Sequence, residues 1–161
     1  MFKKFAVTVP MTLLALSSSM AFAAEEIRSS INISANIPTY DFYAQPVNPD
    51  FGKDEKMAWN VITESLAPLR AAYDIRNTLG SVHAYVEGGP QHLNNGRSAI
   101  QLTYAFNGVT LTGMPKEVVG DTESNGGMRA DLVITAALPG HTQTGLYTAN
   151  PVVIFDAVPR I

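Results

Sequence analysis

The 161-residue sequence contains no cysteine. That absence removes thiol nucleophiles, thiolate metal sites and disulfide staples together, so the fold has to be held by packing and strand pairing. Short signatures of common sites are missing too: there is no G-x-S-x-G elbow, no GxGxxG and no P-loop. The three histidines, His83, His92 and His141, are too far apart for zinc or facial-triad spacings. They read as solvent-exposed side chains, His83 on the polar parity of a strand and the other two in loops. The acidic residues Asp54-Glu55 and Asp121 with Glu123 lack the ordered D-x-D-x-D-G spacing of a calcium loop and read as solvated loop charge. No metal and no cofactor is expected. Carboxylates distant in sequence can still meet for glycoside hydrolysis, but no pair stands out, and a periplasmic hydrolase would rest on fold permissiveness alone.

Long 3.6-period segments, strand-helix-strand alternation, internal repeats and low-complexity tracts are likewise absent. The chain opens with Lys3 and Lys4, an apolar run from Phe5 to Leu16, and small residues ending Ala21-Phe22-Ala23. A basic start, an apolar run short of the roughly 20 residues a spanning helix needs, and an A-x-A site predict a secretory signal peptide over residues 1–23. Cleavage falls after Ala23, with Ala24 as the neighbouring option. Removing 23 of 161 residues leaves 138, enough for one domain with an ordinary core. Taking Lys3 and Lys4 from the 11 basic residues leaves 9 against 14 acidic, a formal charge of −5. That balance excludes a nucleic-acid surface and gives no polybasic membrane patch.

What is present is a series of short alternating runs separated by turn residues. Ile27 to Ile37 places Ile27, Ile31, Ile33, Ala35 and Ile37 on one parity and polar residues on the other, with Ser29 breaking the apolar side. Pro38 ends it. The proline-containing stretch to Lys56 has room for a short strand near Asp41 to Ala44. Strands are predicted at Met57–Thr63, Leu69–Arg76, Ser81–Val86 (ended by Gly88-Gly89-Pro90), Ile100–Phe106 and around Leu132 and Ile134. Asn107-Gly108 predicts a two-residue hairpin turn with Val109–Leu111 returning. Gly113–Gly127 reads as loop, in which a helix at Lys116–Val119 would be too short to matter. A closing run, Gly145–Val158, puts Tyr147, Ala149, Val153 and Phe155 on one parity, with a bulge or edge expected at Pro151, and the sequence ends at Ile161 without room for another strand. The pattern predicts an antiparallel β-sandwich, with a barrel as the structural alternative.

Two destinations are open for Ile27–Ile37: the first strand of its own sandwich, or a strand given to another molecule. Four isoleucines buried at about 1.5–3 kcal/mol each supply roughly 6–12 kcal/mol of gross gain, before ordering costs. Left in water, the same edge is an aggregation hazard. Asn32-Ile33-Ser34 matches the glycosylation sequon, a pattern common by chance. Trp59, Tyr73, Tyr85, Tyr104 and Tyr147 could line a sugar-binding face or fill the core.

The segments SINISANI, LRAAYDIRN, IQLTYAFNGVTL, ADLVITAAL and GLYTANPVVIF, with the absence of cysteine, resemble the major subunits of alpha-type (alternate chaperone-usher) fimbriae, the coli-surface-antigen pilins. The resemblance implies an immunoglobulin-like antiparallel β-sandwich that lacks its last strand and is completed by a donor strand from a neighbouring subunit. It implies a signal peptide (1–23), an N-terminal donor-strand extension (24–37) and a pilin domain (38–161). Ile27, Ile31, Ile33, Ala35 and Ile37 would be the donor side chains, and Tyr147, Val153 and Phe155 would line the acceptor groove. Implied partners are identical subunits in a heterologous filament contact, a periplasmic chaperone, an outer-membrane usher and, optionally, a tip adhesin. Export through the periplasm to a cell-surface fimbrium used for adhesion follows, and no enzyme activity. The alternative is a secreted β-sandwich carbohydrate-binding module or minor tip adhesin.

Overall fold

Asn107-Gly108 makes the turn its sequence demands: both residues take positive φ, 49° and 78°, and join two antiparallel strands. The computed structural model describes residues 41–160, in which the elements are β1 (Phe42–Pro46), β2 (Trp59–Asn60), β3 (Ser65–Leu66), β4 (Leu69–Asn77), β5 (Gly80–Val86), β6 (His92–Asn94), β7 (Ala99–Phe106), β8 (Val109–Leu111), β9 (Lys116–Val119), α1 (Asp121–Gly126), β10 (Met128–Ala136) and β11 (Val153–Pro159). Residues 1–40, and with them the signal peptide and the donor segment expected from the sequence, lie outside the described residues.

One sheet runs β1-β4-β10-β7-β6, with β8 also paired to β7; the other runs β11-β5-β9. All described pairings are antiparallel. Side chains alternate across each strand, so Ile75, Leu102, Tyr104, Phe106, Leu132 and Ile134 of the first sheet meet Val82, Ala84, Val86, Val118 and Val119 of the second in one buried cluster. This is a β-sandwich. Its two sheets are joined on one side, because the chain passes from β8, paired with β7, to β9, paired with β5, and Val86 N–H donates to Thr112 O at 2.8 Å on the way. On the other side stand β1 and β11, the outer strands of their sheets.

Several sequence expectations need correction. Met57–Thr63 is not one strand: Asn60 Oδ1 accepts from the N–H groups of Ile62 and Thr63, and this local turn stops the strand after two residues. Gly113–Gly127 is not all loop. Lys116–Val119 is a strand, and a register shift opposite Val82/His83 lets the consecutive Val118 and Val119 both reach the core, which hides the alternation. Helix α1 follows, anchored by the buried Ser124, whose Oγ lies 2.5 Å from Gly80 O and 3.2 Å from Asn77 O. His92 belongs to β6 rather than a loop. In the closing run only Val153–Pro159 is strand.

The register defines two poles. Asp41 O accepts from Thr78 N–H at 2.8 Å, so the chain enters the sandwich beside the β4–β5 turn, where α1, the Asn107-Gly108 turn and the end of β11 also lie. The segments 47–68, 87–98, 112–115 and 137–152 lie at the opposite, distal pole.

Candidate functional site

β11 and β5 are paired over seven residues, from Val153↔Val86 to Pro159↔Gly80. Directly opposed residues share a face, so Val153, Phe155 and Ala157 point the same way as Val86, Ala84 and Val82. Those three β5 residues are fully buried, whereas Val153 and Phe155 are half-buried and Ala157 is exposed. Burial therefore falls off across a single strand spacing. Among the described residues no strand pairs with the other edge of β11. The result is an apolar strip beside a row of backbone groups that can accept a further strand.

Phe155 is the strip's deepest contact. Its ring lies 4.9 Å from that of Phe106 at 72° and 5.5 Å from that of Tyr73 at 38°, while Tyr73 meets Phe106 edge-on at 5.8 Å. Phe51, from the segment after β1, adds an edge contact to Tyr73 at 6.2 Å. These contacts link the two sheets on the side between β1 and β11. Two residues that sequence reasoning passed over hold the strip's proximal end. Gly80 lies so close to β11 that a Cβ there would overlap Val158 O and Arg160 N. Arg160 N–H donates to Leu79 O at 2.9 Å, and the Arg160 guanidinium pairs with Asp121 at 2.7 Å and donates to Thr78 O at 3.1 Å. A glycine opening a strand was the only signal for Gly80. Arg160 had none, because its partner is 39 residues away.

Of the three residues expected to line a groove, Val153 and Phe155 share the inner face of β11. Tyr147 is not on that strand. Its hydroxyl lies 2.5 Å from Ser98 Oγ, and neighbouring Thr148 bridges Asn94, so it is tied to the β6–β7 hairpin. The parity that joins it to Phe155 is counted across Pro151, where a bulge or edge is expected, and the strand begins only at Val153. Ile27, Ile31, Ile33, Ala35 and Ile37 lie outside the described residues.

Other candidate chemistry disperses. Tyr73 and Tyr104 point into the core, Tyr85 faces outward opposite Ile154, and Trp59 lies half-exposed on β2, so the aromatics make no common face. His83 Nε2 is 4.0 Å from Glu117 Oε2. Among the described residues no three His, Asp or Glu side chains are placed to hold a metal ion. Asp121 and Glu123 occupy the first turn of α1, and the hydrogen bond from Arg160 holds the Asp121 carboxyl below the usual carboxylate range.

The fold is an antiparallel sandwich whose last described strand carries a half-covered apolar face and an edge that no described strand pairs with, and the chain is similar in structure to the CooA pilin subunit from enterotoxigenic Escherichia coli. The TM-score is 0.52 and the sequence identity 13%, over 70% of this chain and 86% of that one. That likeness establishes the fold. The family model of the CS1 type fimbrial major subunit matches residues 27–156, and the chain belongs to that family. It is a pilus subunit, a building block of an extracellular surface filament that assembles with other subunits, from a structural family rather than an enzyme family. A search of curated proteins gave no match.

Proposed function

We propose that the subunits join by donor-strand exchange: residues 24–37 of one copy lie along the open edge of β11 in the next, with Ile27, Ile31, Ile33, Ala35 and Ile37 directed at the strip formed by Val153, Phe155 and Ala157. The observation that carries this reading is the burial step between β5 and β11, where an apolar face is half-covered and its edge has no described partner. The family match beginning at Ile27 supports including the N-terminal segment. Backbone hydrogen bonds to β11 would give affinity, and alternate side chains would enter the strip. One copy's extension meets a different surface on its neighbour, so the contact is heterologous and repetition gives an open filament. A signal peptide over residues 1–23 directs the chain through the periplasm, a chaperone covers the strip until assembly, an usher passes subunits outward, and the filament serves adhesion.

The test is a permuted chain in which residues 24–37 follow Ile161 through a short flexible linker. It should unfold as a monomer at a temperature roughly 10 °C or more above a chain lacking those residues, since several kcal/mol of burial are added. Equal melting temperatures would sink the proposal. In the full chain, Ile33→Asp should abolish filaments on electron micrographs while leaving chaperone binding intact.

A further inference from the structure

Exposed large apolar side chains are distributed unevenly between the poles. Val47, Trp59, Val61, Ile62, Leu138 and Leu146 all belong to segments at the distal pole, and among the described residues Leu79 is the proximal exception. The most exposed of them, Ile62 at 89%, sits at the tip of the β2–β3 hairpin beside Val61 at 77%. The tip is held in place: Asn60 Oδ1 accepts two backbone N–H groups, Thr63 Oγ1 lies 2.7 Å from Ser65 Oγ, and Glu64 takes a positive φ of 48°. A preorganised apolar tip loses little entropy when it is covered. A concentration of exposed apolar side chains at one end marks an interaction surface.

The course of the chain says which partner faces it. The N-terminal extension joins the described chain at the proximal pole, because Asp41 is bonded to Thr78 there. A copy that receives this extension stands beyond that pole, and a copy stacked in the same sense presents its distal pole. We infer that the β2–β3 tip of each subunit docks against the β4–β5 turn of the neighbour that donates its strand, Val61 and Ile62 meeting Leu79. The occupant is thus a second copy of this chain, and the contact is continuous with the strand exchange on which this inference rests. Leu79, 58% exposed in the turn that follows β4, supplies the apolar counterpart. The two surfaces differ, as an open filament requires.

The absence of cysteine makes the contact directly testable. Ile62→Cys and Leu79→Cys are introduced together in the full chain, filaments are assembled in cells carrying the export and assembly proteins, and the shed filaments are oxidised and then heat-denatured without reductant. The expected result is a ladder from dimer upward, with each single variant remaining monomeric. Intact filaments without a ladder, or dimers from Ile62→Cys alone, which would mean tip against tip, overturn the inference. As a second measurement, Val61→Asp with Ile62→Asp should give filaments that fragment to several-fold shorter lengths under shear, and unchanged lengths would count against the contact. Strand exchange is judged separately: filaments formed by Ile33→Asp would refute exchange, whereas the ladder reads the pole contact alone.

Discussion

The two long sides of the sandwich are finished by different means. On the β8–β9 side the chain itself crosses between sheets, Val86 N–H finds Thr112 O, and Val82, Ala84 and Val86 are fully buried. On the β1–β11 side no described strand continues the second sheet, and the same inward-facing row fades to a half-buried Val153 and Phe155 and an exposed Ala157. Composition does not explain the difference, since both β5 and β11 offer apolar residues at alternate positions. The difference is one of supply: the closed side is completed within one chain, and under strand exchange the open side draws its last strand from another.

If that is right, the same kind of truncation should have different consequences on the two sides. Phe155→Ala is expected to cost about 3–5 kcal/mol in the permuted, strand-complemented chain and clearly less in a chain lacking residues 24–37, where part of the ring faces water. Val86→Ala, deleting two buried methyls on the closed side, should cost roughly 2 kcal/mol in both. Urea unfolding of the four variants and their two parent chains measures both. An equal penalty for Phe155→Ala in the two backgrounds would break the comparison. Next in size is Gly80→Ala, whose new methyl meets the β11 backbone and should cost about 1–3 kcal/mol by overpacking. Hydrogen exchange should speed up first at Val158 and Arg160, leaving the β7–β8 amides protected.

How far the sequence anticipates this arrangement depends on the range of the signal. Alternation identifies β5 and β7 because each buries every second residue, and Asn107-Gly108 fixes a hairpin from two adjacent residues. β9 escapes because its bulge places neighbouring valines on one face, and α1 escapes because a six-residue helix held by Ser124 has no room for a 3.6-residue period. Tyr147 falls off β11 for a related reason: period-two counting continues past the bulge or edge expected at Pro151, whereas Thr148 bridges Asn94 and the strand begins only at Val153. The inner face of β11 was legible as Val153 and Phe155. Its fastening by Gly80, Arg160 and Asp121 was not, since these residues meet only when distant segments converge.

A smaller effect is expected in the core near the closed side. The Tyr104 hydroxyl, on the strand that carries β8, is buried with no hydrogen-bond partner among the described residues, and burial pushes its pKa from 10.0 up to about 12. The unfolded chain therefore ionises this phenol first. Its contribution is intact below pH 10 and declines as pH rises from 10 towards 12, the loss reaching roughly 2–3 kcal/mol by the end of that interval. Tyr104→Phe should remove that alkaline slope and, by deleting an unpaired buried hydroxyl, raise neutral-pH stability by about 1 kcal/mol. Denaturation midpoints at pH 8 and pH 11.5 provide the measurement. Because Tyr104 does not belong to the open edge, the gain should be the same with and without the donor segment, and a donor-dependent gain would place its hydroxyl in the groove instead.

The smallest effect sharpens the contrast at the end of β11. Arg160 donates from Nε and Nη2 to the Asp121 carboxylate, and this hydrogen bonding, partly offset by desolvation and reinforced by the guanidinium charge, lowers the Asp121 pKa. A carboxylate whose folded pKa is depressed stabilises the fold above its unfolded pKa. That contribution disappears as pH falls through the ordinary carboxylate range to the lower folded value. Both side chains are about half exposed, so the pair adds little to global stability and is weakened by salt. Its effect should instead be local, since Arg160 also holds Thr78 O and Leu79 O. Arg160→Gln should speed amide exchange at the last residues of β11 at pH 7, leave the melting temperature nearly unchanged, and abolish the extra fraying that the unsubstituted chain shows on acidification. The Arg129–Asp74 pair, bridging neighbouring strands β10 and β4 inside the first sheet, supplies the control. Breaking it with Arg129→Gln should leave exchange in β11 unchanged, because β11 is fastened at its end by Arg160 while β4 is flanked by strands on both edges.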